Sequence, residues 1–132
     1  MWISNIESMI LTRVKVGVEE KIKTKYPNIL FTASDRYQGD ARFPTVVIRD
    51  LGSSERGNDL ENTHINAYQC TIQVDVIDNE SQNRAKEVSR YVVDEMKKMS
   101  FSMVSAPAPD NKSDTYRVVA RFRREIGWDD IL

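Results

Sequence analysis

Branched apolar residues recur at nearly every fourth position along the first 25 residues. Ile3, Ile6, Ile10, Val14 and Val18 form one stripe, with Met9 and Ile22 beside it. Glu7, Arg13, Lys15, Glu19 and Lys23 fall largely elsewhere. This spacing predicts an amphipathic helix over 3–25. Tyr26-Pro27 ends it, because the residue before a proline is pushed out of the α region. Gly17 is a weak point within it, costing about 1 kcal/mol against alanine in a helix interior.

Short apolar runs follow. Ile29–Ala33 predicts a strand, the stretch 34–42 is polar, and Phe43–Ile48 predicts a second strand with its proline at the start, where a missing N–H does least damage. Gly52–Asn66 reads as one long polar connection, of a length usually kept for functional or mobile loops. Over Ala67–Ile77 the period changes to two. Tyr68, Cys70, Ile72, Val74 and Val76 alternate with Gln69, Thr71, Gln73 and Asp75, which predicts a strand with one apolar and one wet face.

Asn79, with Gln82 three residues on, predicts a capped start for a second helix over 80–98. Its stripe is Ala85, Val88, Val92, Met96 and Met99, and Lys97 and Lys98 suit the negative end of its dipole. Phe101–Ser105 predicts another strand, Pro107–Asn111 a turn, and Tyr116–Arg123 an alternating final strand. The order is therefore α-β-β-β-α-β-β. It predicts an α+β domain over residues 1–132, two helices on one face of a mostly antiparallel four- to five-stranded sheet.

Composition narrows the function. The 132 residues suit one domain able to bury its own core. Nineteen basic and 20 acidic residues leave a net charge of −1, unlike the basic balance of a dedicated nucleic-acid binder. A single cysteine forbids an intramolecular disulfide and fits a reducing compartment. No apolar run approaches the ~20 residues of a membrane span, and no leader is apparent. The expectation is a protein made and used in a cytoplasm.

Little in the sequence suggests catalysis. Cys70 lies on the apolar face of its strand and reads as a buried, inert thiol. His64 reads as a solvated loop residue. One histidine and one cysteine make no zinc motif, and no glycine-rich phosphate loop is present. Asp75 and Asp78, near Glu80, could serve a small Mg²⁺ nuclease. However, no Glu-x-Lys follows on a neighbouring strand, and the plainer reading is a solvated strand face plus a turn. Arg117, Arg121 and Arg123 share one face of the last strand, with Arg124 on the other. Such a row can meet phosphates or pair with polar residues of the next strand. Asp75 and Gln73 are candidate partners.

The segments Phe43-Pro44-Thr45-Val46, Thr71–Val76 and Tyr116–Phe122, with the two helices and the long loop before Ala67, resemble the tail-terminator and tail-completion (head–tail joining, minor capsid) proteins of long-tailed bacteriophages and prophages. One departure is Met99-Ser100-Phe101, where a Gly-Phe turn is expected. The resemblance implies a structural virion protein rather than an enzyme, with no cofactor, no metal and no catalytic residues. It implies a hexameric ring at the tail–head junction, assembled in the host cytoplasm. Its partners would be further copies of itself, the major tail tube protein and the head connector or neck proteins, with DNA passing through without specific binding and no membrane. Within that reading Glu55, Arg56, Asp59, Leu60 and Glu61 of the loop would touch a neighbouring subunit or the tube. Arg117, Arg121 and Arg123 would face the lumen or an interface. The alternatives are a head-side neck or connector protein and the Mg²⁺-dependent nuclease.

Overall fold

The structure, a computed structural model, describes residues 6–33, 42–58, 65–111 and 114–127, with the strand stretches 53–58 and 65–68 given by their backbone alone. Helix α1 spans Ile6–Ile22 and buries Ile6, Ile10, Val14, Val18 and Ile22. It closes where Tyr26 N donates to the Ile22 carbonyl at 2.9 Å, just before Pro27. Strand β1 is Leu30–Ala33, β2 Thr45–Asn58, β3 Ile65–Asp78, β4 Ser102–Pro109 and β5 Tyr116–Gly127. Helix α2 spans Gln82–Lys98.

The five strands form one sheet in the order β1-β2-β3-β5-β4. β1 runs parallel to β2, and the remaining neighbours are antiparallel. The architecture is thus the expected α+β, with a mixed sheet. Both helices pack on one face, over Val46, Ile48, Cys70, Ile72, Val74, Val76, Val118, Ala120 and Phe122. This is why β3 and β5 alternate: even-numbered positions enter the core and odd-numbered ones face away.

Several boundaries differ from the sequence expectation. The connection read as Gly52–Asn66 is largely strand: β2 continues to Asn58 opposite Ile65 of β3, making a long hairpin whose link, 59–64, lies outside the described residues. The polar run after Gly52 carries no alternation of its own and is held by backbone pairing to β3. The register slips between Asp50 and Ser53, where Gly52 takes φ +113° and its N–H bonds the Asp50 side chain at 2.9 Å. That conformation suits a residue without Cβ, and a bulge there bends the strand.

The cap of α2 is Ser81 rather than Asn79. Its hydroxyl oxygen accepts from Arg84 N at 3.1 Å, while Asp78 Oδ2 accepts from the Glu80 and Ser81 N–H groups at 3.1 and 3.0 Å. At the other end, Phe101 N bonds the Met96 carbonyl and Ser100 N the Lys97 carbonyl. Ser100 takes φ +65° between them. This is a Schellman ending, with serine where glycine is usual. β4 runs on through Pro107 and Pro109, which an edge strand tolerates.

Gly17 lets the two helices approach closely. A Cβ there would overlap the Glu95 carboxyl group. Glu95 of α2 is buried against α1, with Lys98 Nζ at 3.1 Å and Lys21 Nζ at 3.5 Å. The helix-propensity cost of glycine is thereby exchanged for a charged contact across the helix pair.

Candidate assembly surfaces

The sheet face turned away from the helices carries the arginine row. Asp75 is its centre. It sits on β3 between Val47 of β2 and Val119 of β5 and is 0% exposed. Arg117 donates to Asp75 Oδ2 at 3.1 Å, Arg49 to the same oxygen at 3.3 Å, and Gln73 Nε2 to Oδ1 at 2.8 Å. The expectation of a solvated Asp75 is corrected: the stems of two arginines shelter it, and their charges offset its loss of hydration.

The three arginines of β5 have different roles. Arg117 is tied down, its second nitrogen 3.9 Å from Asp110. Arg121 is exposed and held by Gln73 Oε1 at 3.0 Å. Arg123 is exposed beside the start of β4, opposite Ser102. Pairing with Asp75 and Gln73 therefore accounts for two of the three. Arg49 was missed because its distance in sequence hides it, although its place two residues from Val47 on the same strand was a usable signal.

Asp75 and Asp78 do not share a site. Asp75 points to the outer face, whereas Asp78 is buried on the helix side. Asp78 serves as the turn acceptor before α2 and lies 3.4 Å from the Arg84 guanidinium. Among the described residues no group of three or more His, Cys, Asp or Glu is placed to hold a metal ion. Cys70 is buried in the core, as expected. Glu55 and Arg56 lie on the far part of β2, opposite Tyr68 and Ala67. His64, Asp59, Leu60 and Glu61 lie outside the described residues.

A charged cluster not anticipated from sequence joins the end of α1 to α2. Glu87 accepts from Lys25 Nζ at 2.8 Å and from the Tyr26 hydroxyl. Hydrogen bonds from Lys25, then Tyr26, hold the Glu87 carboxyl below its ordinary value. Burial, then Glu87, pushes the Tyr26 hydroxyl up. The Arg84 guanidinium lies 5.1 Å from the Tyr26 ring centre.

The sheet ends offer two kinds of surface. β2 and β3 extend past β1 as a hairpin. At the opposite side, β5 runs beyond the start of β4: Arg124 donates to the Met99 carbonyl at 2.8 Å, and Glu125–Gly127 have no β4 partner among the described residues. A cleft of about 760 Å³ opens there, bounded by Arg123, Arg124, Gln69, Glu125 and the exposed Met103 and Val104. None of the described helices is long and apolar enough to cross a membrane.

Neither a protein-family model nor a curated protein sequence matches the chain. Twenty-six chains of known structure are similar. One of these is 9% identical with a TM-score of 0.48, the match covering 91% of this chain and 97% of that one.

Proposed function

We propose that this chain is a structural subunit of a long-tailed phage or prophage, a tail terminator that forms a ring, caps the tail tube and joins it to the head connector. The observation that carries the reading is the one-sided architecture. The two described helices cover one face of the sheet, and among the described residues an arginine-bearing face, a long hairpin and the β4 edge occupy the remaining sides. This is the layout that the resemblance of the strand segments implies. Different patches at the hairpin and at the β4 side suit head-to-tail contacts, which close into rings by rotation.

The charge pattern supports the same reading. Asp75 and Gln73 engage three of the outer-face arginines, Arg49, Arg117 and Arg121, and the chain carries a net charge of −1. A chain so close to neutral overall would let DNA pass without gripping it, because affinity for duplex grows with each phosphate neutralised. The ring, its contacts with tube and connector proteins, and its place in the virion belong to this proposal.

The test is a phage lacking this gene, viewed by negative-stain microscopy. Overlong tails or heads without tails are expected, and a plasmid copy restores joined particles. Normal joined particles without the gene would overturn the reading. Deleting 55–61, with joining scored in the same way, tests the hairpin as the contact.

A further inference from the structure

A second cleft, of about 450 Å³, lies between α2 and β4 and is bounded by Arg90, Tyr91, Val93, Asp94, Met103 and Pro107. β4 is the last strand of the sheet, and its far edge has no strand beside it among the described residues. Edge strands are commonly guarded by charges. From Ser102 to Pro109 this strand carries none, and Met103 and Val104 are 40% and 46% exposed. Its guards are Pro107, Pro109 and two slips of register. These spoil the edge as a template for a stray strand but leave its side chains open to packing.

The charges of the cleft come from α2. Arg90 and Asp94 stand about one helical turn apart and are both exposed, yet among the described residues neither closes a salt bridge. The ions on either side of them along the helix are already taken, Glu87 by Lys25 and Lys98 by Glu95. The cleft therefore presents one cation and one anion beside apolar side chains.

The arrangement is symmetric. β4 doubles back against α2 after the turn at 99–101. Val92 lies seven residues before Met99, and Ser105 three residues after Ser102. At ~1.5 Å per helical residue and ~3.3 Å per strand residue, each lies about 10 Å from the turn, so the two are level. Arg90 and Asp94 flank Val92 in sequence, and Met103 and Pro107 flank Ser105.

We infer that two copies of this chain pair through this cleft, about a two-fold axis at the level of Val92 and Ser105. Arg90 of each copy then meets Asp94 of the other, and Met103 of each meets Pro107 of the other. A surface carrying its own complement in this order fits a second copy of itself. The same patch is used on both sides, so the contact closes at two copies. It goes beyond the ring reading and does not depend on it. A pair and a ring contact at the β4 side exclude each other, so the pair is sought in the purified chain without tails.

The test is sedimentation of the full chain from roughly 1 μM to 1 mM, the range of a small interface. The expected result is an equilibrium between one copy and two, with no larger species. Arg90→Glu sets carboxylate against carboxylate at both meeting points, and Asp94→Arg sets cation against cation. Each alone should weaken association roughly tenfold or more. Mixed in equal amounts, the two variants should restore it, because each then meets the opposite charge at both points. Both positions are exposed, so neither change disturbs the core. Four results would overturn the inference: a single copy at the top of that range; species that grow beyond two copies; single variants that associate as well as the parent; or a mixture that associates no better than its components.

Discussion

Arg117 and Asp75 lie on neighbouring strands, offset by two residues on the outer sheet face, and meet at 3.1 Å with the carboxylate wholly buried. Neither described helix covers that face, and among the described residues the bond is sheltered by Gln73, the neighbouring valines and the arginine stems.

Asp75→Ala should therefore lower stability by about 3 kcal/mol, since it leaves two arginines without the charge they enclose. By contrast, Arg121→Ala and Arg123→Ala should each change it by no more than about 0.5 kcal/mol, because both side chains are exposed. Urea unfolding at pH 7 distinguishes the two classes. An Asp75→Ala chain as stable as the parent would show that the buried pair contributes nothing.

Ser100 holds φ +65° at the end of α2, a conformation that costs a residue with a Cβ roughly 1–2 kcal/mol. Ser100→Gly should raise stability by about 1 kcal/mol, less the greater freedom glycine has when unfolded. The shift in thermal midpoint reads it, and a fall would contradict the left-handed cap.

Gly17→Ala would ordinarily stabilise a helix interior by about 1 kcal/mol. Here the added methyl displaces the Glu95 carboxyl from its place between Lys21 and Lys98. The gain should be cancelled in the parent and recovered in a Glu95→Ala background. The double-mutant cycle should show coupling of about 1 kcal/mol. Additive effects would mean that the glycine does not matter for the helix contact.

Glu87 titrates below its ordinary value of 4.5 in the folded chain. Its contribution is thus complete above pH 4.5 and disappears as pH falls through the lower folded value. Tyr26 and Lys25 are raised, so theirs is complete below pH 10.0 and is lost at higher pH. Parent minus Glu87→Gln stability should be roughly 0.5–1 kcal/mol at neutral pH and shrink below pH 4.5. Denaturation midpoints of both chains at pH 3, 4, 5 and 7 measure this, and a difference constant over that range would contradict it.

Sequence periodicity reveals what local chemistry decides. The stripe Ile6–Ile22, the alternation around Ile72 and the four-residue spacing of Val88, Val92 and Met96 each place a helix or strand against the core. What it hides depends on partners far along the chain. Ser53–Asn58 become strand only because β3 lies alongside them. Asp75 looks like any wet-face residue until the register brings Arg49 and Arg117 to it. Asn79 and Ser81 are equally good caps on paper, and the turn made by Asp78 selects the second. The arginine row was legible on β5, whereas the cleft beside Arg123 needed the offset between β4 and β5 to be known.

Cys70 is the chain's sole thiol, and it is wholly enclosed between the sheet and the helices. Enclosure in apolar surroundings bars bulky reagents. A second cysteine placed anywhere on the exterior would consequently be the one position to take a maleimide dye or spin label. Distances between copies could then be measured without first constructing a cysteine-free background.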